Sequence, residues 1–278
     1  MTEAQGIPAD WTPPVGPLGD LTAAAGVRAK ELGTVRRRLE RIVEALPPVV
    51  GFAAALRSGP MVGVIAEIKR QSPSKGILDA SLDAAARAAY YVDGGAAALS
   101  ILTEPTRFGG RIEDLREVRQ SVVAPTLRKD FIVHEWQLLE SRAAGASAVL
   151  LIARALRPER LVALAGMAQD LGLELLIETR SEDELERACA VPHAVIGVNT
   201  RDLETLAIDI AVAERLLPLV PRDRVAVYES GVQHVVDVAH AAACGADAVL
   251  VGSVLTLASA PIDAVRALAS VRRGAARG

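Results

Sequence analysis

Acidic and basic side chains that could exchange protons stand at the ends of short apolar runs. Glu67 and Lys69 end one run, Lys129 ends a second, and Glu178 ends a third. Opposite charges that meet in a partly dry cleft shift one another's pKa values, which suits general acid and base catalysis. A structural salt-bridge network near the surface is the alternative explanation. The pattern favours proton transfer if the fold brings these four positions together.

Lysine is rare in this chain, so its positions are informative. Lysine and arginine together number 31, but only Lys30, Lys69, Lys75 and Lys129 are lysines. The pKa of an ammonium can be lowered until it releases a proton near neutral pH, whereas a guanidinium stays charged. Composition alone leaves open whether these lysines are remnants of an arginine-rich sequence. The ends of the apolar runs favour a chemical role for Lys69 and Lys129.

Histidines and cysteines are few and scattered. No pair has the spacing of metal ligands, so we expect no metal and no disulfide. Ser230 has no histidine at a neighbouring strand end, and we interpret it as a hydrogen-bonding residue and not a nucleophile. Helix or strand-start positions are predicted for His134, His193, His234 and His240, and core packing within helices for Cys189 and Cys244.

The bulk properties exclude several classes of protein. The 278 residues carry a formal charge of −3, and 51% are apolar. Without a basic cluster, nucleic acid and anionic membranes are not expected partners. No apolar run reaches the ~18 residues of a membrane span, and the first 20 residues lack a secretory pattern. We therefore expect a cytoplasmic enzyme that acts on a small molecule, and we expect it to be a monomer.

The elements that would hold these residues form a repeating pattern. Residues 1–25 are predicted to be a flexible lead-in, and residues 32–46 an amphipathic helix with Leu39 on its apolar face and Pro47 after it. We predict an extension over residues 1–60 that packs on a catalytic domain over residues 61–278. The predicted strands, roughly 25 residues apart, are Val62–Ile68, Ala97–Leu102, Pro125–Arg128, Ala148–Ile152, Leu173–Ile177, Ala194–Val198, Val225–Val227 and Ala248–Val251.

Eight such units predict a closed barrel. The strands are almost continuously apolar, as expected for parallel strands buried on both faces. An open doubly wound sheet would normally have a glycine-rich dinucleotide turn after its first strand, and residues 69–74 lack one. A chain of this length fits one (β/α)8 barrel, which typically needs ~250 residues. The fold class predicted is α/β, a TIM barrel with an N-terminal helical extension.

Barrel enzymes build their sites at the carboxyl ends of the strands, where the charged residues stand. Gly231 follows the seventh predicted strand, and Gly252 and Ser253 follow the eighth. Glycine lets backbone N–H groups approach an anion, and a helix N-terminus adds a favourable dipole. Ordinary tight turns are the alternative. The two loops together favour a phosphate site.

These strand-end segments resemble the motifs of indole-3-glycerol phosphate synthases, in order, from about Phe52 to about Leu257. The first motif, Lys129-Asp130-Phe131 and Asn199-x-Arg201-Asp202-Leu203 are the specific ones. The full set is Ile65–Gly76, Leu99–Glu104 with Phe108–Gly110, Leu127–Val133, Leu176–Glu178, Gly197–Leu203, Glu229–Gly231 and Leu250–Ser253. Tyr228 departs from the family, which usually has a small residue there.

The resemblance implies closure of the indole ring of 1-(2-carboxyphenylamino)-1-deoxyribulose 5-phosphate, with loss of CO2 and water and without a cofactor. It implies that Lys129 is the general acid toward the ketone and Glu178 the base in the dehydration. Lys69 would contact the substrate carboxylate, and Glu67 would orient these groups. The remaining implied site residues are Asn199 among the catalytic groups, and Arg201, Ser72, Phe108, Phe131, Glu229, Ser230, Gly231, Gly252 and Ser253 for substrate binding.

Other functions remain open from the sequence. A related phosphate-binding barrel could be a phosphoribosyl-sugar isomerase, although the two lysines at strand ends disfavour it. A noncatalytic barrel that binds a phosphosugar is disfavoured by the presence of both Lys129 and Glu178. The sequence does not distinguish tryptophan synthesis from a dedicated pathway that uses a modified anthranilate.

Overall fold

The computed structural model describes residues 11–274, in which eight parallel strands close into a barrel. Each strand pairs with the next one along the chain, and the eighth pairs with the first. This confirms the predicted (β/α)8 barrel. The strands are β1 Gly63–Ile68, β2 Ala98–Leu102, β3 Thr126–Lys129, β4 Ala148–Ile152, β5 Glu174–Thr179, β6 Val195–Asn199, β7 Ala226–Glu229 and β8 Ala248–Val251.

Both faces of the strands are buried, which explains their continuous hydrophobicity. In β1, Ile65 packs inside the barrel, whereas Val64 and Ala66 pack toward the surrounding helices. Strand alternation places Glu67 on the same inner side as Ile65. The same alternation gives Lys129, Glu178 and the other polar strand-end residues their inward direction.

Helices surround the barrel and cover both of its ends. The helices are α1 Gly16–Glu31, α2 Arg36–Glu44, α3 Phe52–Leu56, α4 Ala84–Asp93, α5 Pro105–Phe108, α6 Ile112–Ser121, α7 Glu135–Ala143, α8 Pro158–Asp170, α9 Glu182–Cys189, α10 Ala211–Leu216, α11 Val235–Ala243, α12 Ser253–Thr256 and α13 Pro261–Leu268. Short 3-10 turns occupy Leu32–Val35, Ala153–Ala155 and Leu217–Leu219, and a two-stranded hairpin of Gln71–Ser72 and Gly76–Ile77 follows β1.

The prediction of a flexible lead-in over residues 1–25 was wrong from residue 16 onward, and residues 1–10 lie outside the described residues. Helix α1 begins at Gly16 with a proline in its first turn, where a missing N–H costs nothing. Its buried face consists of Leu18, Leu21 and Ala25, which join the inner core cluster at the mouth. Alanine and glycine give this helix a weak amphipathic pattern, so tertiary packing and not local sequence reveals it.

The predicted helix over residues 32–46 is also shorter than expected. The chain makes a 3-10 turn first, and α2 runs from Arg36 to Glu44. Of the predicted apolar face, Leu39 is buried, whereas Ile42 is exposed. The segment after it forms α3, whose Phe52 and Leu56 are fully buried in the inner cluster. The carboxylate of Glu174, at the start of β5, accepts a hydrogen bond from the amide of Phe52 at 2.7 Å. This bond holds α3 against the amino-terminal end of the barrel, which α3 closes.

Candidate active site

Five ionisable side chains meet at the carboxyl end of the barrel. The Nζ atom of Lys129 lies 3.3 Å from Glu178 Oε2 and 3.7 Å from Glu229 Oε2. The Nζ atom of Lys69 lies 2.6 Å from Glu67 Oε1. The sequence placed these residues at strand ends, and the fold brings them into one group of two lysines and three carboxylates.

Burial and neighbouring charges act against each other on Lys129. Burial works to lower the pKa of Lys129, but the carboxylates of Glu178, Glu229 and Glu67 outweigh it and hold that pKa above its usual range. The resting side chain is therefore a charged ammonium. It carries the proton that a general acid must deliver. The lowered lysine pKa expected from the sequence is wrong for the resting site, because the neighbouring carboxylates raise the pKa of Lys129.

Glu229 is the carboxyl group in the least favourable surroundings. Burial, and then repulsion by Glu178, raises its pKa to about 8 despite the attraction of Lys129. Its Oε1 atom has no hydrogen-bond partner within residues 11–274. Glu229 therefore keeps its proton to a higher pH than an ordinary glutamate does.

Asn199 connects three strand ends. Its Nδ2 atom donates to Glu178 Oε1 at 2.8 Å, and its Oδ1 atom accepts from Ser230 Oγ at 2.8 Å and from the amide of Arg201 at 2.9 Å. These three hydrogen bonds fix the amide of Asn199, which in turn orients the carboxylate of Glu178. Ser230 has a φ of 69°, which non-glycine residues rarely adopt, and this turns the loop after β7 toward the cavity.

Gly252 leaves room for the pair formed by Glu67 and Lys69. A Cβ atom at Gly252 would overlap Glu67 Oε1 and lie 2.7 Å from Lys69 Nζ. Gly197 in β6 has the same role toward Glu229, whose Oε1 atom occupies the place of the missing side chain. From the sequence, Gly252 was expected to belong to the phosphate site, and no role was predicted for Gly197.

A cavity of about 570 Å³ opens above these groups. Phe108 and Phe131 stand on one side with ring centroids 6.3 Å apart. Glu178 does not line it directly and reaches it through Lys129 and Asn199. The predicted site residues that do line this cavity are Glu67, Lys69, Ser72, Phe108, Lys129, Phe131, Asn199, Arg201, Glu229, Ser230, Gly231, Gly252 and Ser253.

The amino-acid sequence was compared with those of known protein families. The profile of the indole-3-glycerol phosphate synthase family matches residues 23–268. The chain belongs to this family.

Relatives carrying that family name cover most of the chain. The indole-3-glycerol phosphate synthase of Nocardioides sp. (strain ATCC BAA-499 / JS614) is 48% identical, over 87% of this chain and 92% of the relative. That of Paenarthrobacter aurescens (strain TC1) is 44% identical, over 86% of this chain and 92% of the relative. Indole-3-glycerol phosphate synthase 1 of Streptomyces coelicolor is 49% identical, over 81% and 83%. The resemblance recognised from the strand-end motifs is thus confirmed.

Solved structures of other barrels share the fold of this indole-3-glycerol phosphate synthase family member. A 3-hexulose-6-phosphate synthase from Salmonella typhimurium aligns with a TM-score of 0.60 at 16% identity, over 75% of this chain and 97% of the other. A thiamine phosphate pyrophosphorylase from Pyrococcus furiosus gives 0.56 at 14%, over 78% and 96%. At such identities the likeness concerns the fold alone.

Sequence reasoning missed the residues that α1 brings to this site. Leu18 lies beside Ile152, Glu178 and Leu203 at the mouth, and Arg28 forms ion pairs with Glu104 and Asp130. The predicted helix began only at residue 32, so nothing in the sequence analysis placed either residue near the cavity. No role in the site was predicted from the sequence for the motif residues Glu104 and Asp130.

The other predicted classes of site can be compared with the structure as well. Within residues 11–274, no group of three histidine, cysteine or acidic residues could hold a metal ion. In the same residues, no helix has the length and hydrophobicity that a membrane crossing requires. Cys189 and Cys244 pack partly buried against the outer core, and burial raises the pKa of both thiols.

Proposed function

We propose that the enzyme closes the indole ring of 1-(2-carboxyphenylamino)-1-deoxyribulose 5-phosphate and releases CO2 and water. The observation that carries this proposal is the placement of Lys129 in the wall of the cavity with Glu178 and Glu229 beside it. Ring closure requires an acid and a base within reach of one carbon atom, and this group provides both.

Lys129 acts in the first step. When the aromatic carbon attacks the ketone, the ketone oxygen becomes an alkoxide and takes a proton from the ammonium of Lys129. Its ion pairs with Glu178 and Glu229 hold the ammonium in the wall of the cavity. Stabilising the developing oxyanion at a position fixed in advance is the main electrostatic contribution to such a step.

Loss of CO2 and then of water restores aromaticity. Lys69 contacts the substrate carboxylate, and its bond to Glu67 keeps that contact from holding the carboxylate too tightly. In the dehydration, the hydroxyl group leaves as water with a proton from Lys69, because Lys129 gave up its proton in the first step, and Glu178 removes a proton from the ring system. The hydrogen bond from Asn199 Nδ2 holds the Oε1 atom of Glu178 and so orients its Oε2 atom, which lies beside Lys129.

The two ends of the cavity bind different parts of the substrate. Phe108 and Phe131 form the wall for the aryl ring. The phosphate binds at Gly231, Gly252 and Ser253, where the amides of a first helical turn have no acceptor in their own helix. Arg201, Ser72, Ser230 and Glu229 complete the contacts to the sugar and the carboxylate.

The compartment, the oligomeric state and the pathway of the enzyme are also part of what we propose. We propose that it works in the cytoplasm as a monomer in tryptophan biosynthesis, where its substrate is a small phosphorylated molecule. Sedimentation of the purified chain tests the monomer. A dimer that persists on dilution would contradict it.

Incubation with the carboxyphenylamino-deoxyribulose phosphate tests the reaction. Indole fluorescence should rise with time as one CO2 is released per product. A folded preparation that binds the substrate but yields neither indole fluorescence nor CO2 would refute the proposed function.

A further inference from the structure

The guanidinium of Arg28 connects α1 to two buried carboxylates. It lies 3.5 Å from Glu104 Oε1 and 3.3 Å from Asp130 Oδ1. The side chains of Glu104 and Asp130 are 0% and 2% exposed, whereas that of Arg28 is 29% exposed. Among the described residues, Arg28 is the one cation that forms an ion pair with Glu104. Buried carboxylates need such a partner, because an unpaired buried charge costs several kcal/mol in typical proteins.

Each of these carboxylates holds the backbone of one of the two phenylalanines. The carboxylate of Glu104 accepts the amide of Phe108 at 3.2 Å and caps the whole of α5. The carboxylate of Asp130 accepts the amide of Phe131 at 2.8 Å. Arg28 therefore contacts both carboxylates that hold these backbones, and it does not itself line the cavity.

Asp130 has a further cation and Glu104 does not, which makes the two connections unequal. Arg128 lies 3.0 Å from Asp130 Oδ2, and Thr103 donates to the same oxygen at 2.6 Å. Loss of Arg28 would leave Asp130 paired. It would leave Glu104, and with it the loop that carries Phe108, without compensation of charge.

We propose that Arg28 is a positioning residue that sets the separation of Phe108 and Phe131, and thereby the affinity for the aryl end of the substrate. This inference rests on the proposed function only in assigning the aryl ring to these two side chains. Arg28 itself does not line the cavity. Its effect reaches the substrate through Glu104 and Asp130.

Kinetics of Arg28→Ala, Arg28→Lys and the control Arg36→Ala test this role. Arg36 belongs to the next helix and forms an exposed ion pair with Glu40 at 2.7 Å. Arg28→Ala should raise KM about tenfold, the worth of one aromatic contact, with less than a threefold change in single-turnover ring closure. Arg28→Lys should fall between, because an ammonium supplies charge but cannot bridge both carboxylates. Arg36→Ala should match the wild type.

Calorimetric binding of two probes separates ring placement from general loosening. Anthranilate, which carries only the aryl end, should bind Arg28→Ala about tenfold more weakly, whereas inorganic phosphate should bind as it does to the wild type. Equal losses for both probes, or unchanged anthranilate binding, would overturn the proposal. If Arg28→Ala does not fold, the same comparison with Arg28→Lys decides. The probe experiment needs no turnover, so a wild-type enzyme that binds anthranilate but closes no ring would refute the proposed function and leave this inference testable.

Discussion

At the scale of single residues, the same side-chain type has different properties in different places. Lys129 is held as an ammonium between two buried carboxylates, whereas Lys30 is exposed on α1. Burial and Glu178 raise the pKa of Glu229, so this group keeps its proton to a higher pH than an ordinary glutamate does. The chemistry of these groups therefore comes from their surroundings, and substitutions that preserve charge or shape can separate the two.

Substitution of Lys129 by arginine tests proton donation. Arginine keeps the positive charge, but a guanidinium does not give up a proton in a protein, whereas the ammonium of Lys129 can transfer one once the basic alkoxide forms beside it. We expect Lys129→Arg to lower single-turnover ring closure by about 10²- to 10⁴-fold, the usual range for a general acid. Substrate affinity should change less.

The matched control is Lys30→Arg, the same chemical change on the surface, which should be silent. Ring closure by Lys129→Arg near the wild-type rate would assign Lys129 to charge pairing alone.

The pH profile tests the state of Glu229. Its pKa is raised to about 8, so the group is neutral below that pH and charged above it. A charge there repels the anionic substrate and holds the proton of Lys129 more tightly. We expect kcat/KM to fall as pH rises through about 8, and the fall to be absent in Glu229→Gln, which stays neutral. An identical fall in both enzymes would show that another group titrates.

At the scale of secondary-structure elements, the strands determine which way the side chains point, and the loops leave room for them. Register places Asn199 of β6 opposite Glu229 of β7, and Glu178 of β5 opposite Gly197 of β6, so polar groups and a glycine share one inner layer. Gly197 within that layer and Gly252 after β8 leave room for its charged side chains. Changing one of them should affect groups on other strands.

Substitution of Gly252 by alanine tests this coupling. Because a Cβ atom there would overlap Glu67 and crowd Lys69, we expect Gly252→Ala to lower kcat as well as raise KM. Loss of phosphate contacts alone would raise KM and leave the chemical step unchanged. Gly166→Ala is the control, because a Cβ atom there meets no atom within 4 Å. A Gly252→Ala enzyme with wild-type kcat and raised KM would limit Gly252 to phosphate binding.

At the scale of the whole molecule, the segment before β1 serves both ends of the barrel. Helix α1 covers the mouth through Leu18 and Leu21, whereas α3 closes the opposite end with Phe52 and Leu56. The predicted extension over residues 1–60 thus includes parts with different roles. The division at residue 61 itself remains a prediction.

Two truncated chains test that division of roles. A chain that starts at Leu32 should keep the barrel but bind substrate more weakly, because α1 and Arg28 are lost. A chain that starts at Met61 should not fold, because losing a buried Phe costs ~3–5 kcal/mol and a buried Leu ~2–5 kcal/mol, against a typical stability of 5–15 kcal/mol. Circular dichroism and thermal unfolding measure both. A cooperative transition in the shorter chain would contradict the role of α3.

The sequence by itself determined the barrel and the polar residues of its mouth. Apolar runs about 25 residues apart predict eight strands, because each strand must be buried on both faces. Alternation along a strand then directs Glu67 and Lys69 to one side. All eight strands were located correctly within a few residues, and the motifs identified the family.

Only the tertiary structure decided which groups touch and which proton states result. That Lys129 lies between Glu178 and Glu229, and that Glu229 keeps a proton, depends on register and burial across three strands, which no local pattern encodes. Helix α1 escaped prediction for the same reason, because its weak apolar stripe becomes informative only against the mouth that it covers. The contacts of Arg28 follow from that docking, across 76 and 102 residues of sequence.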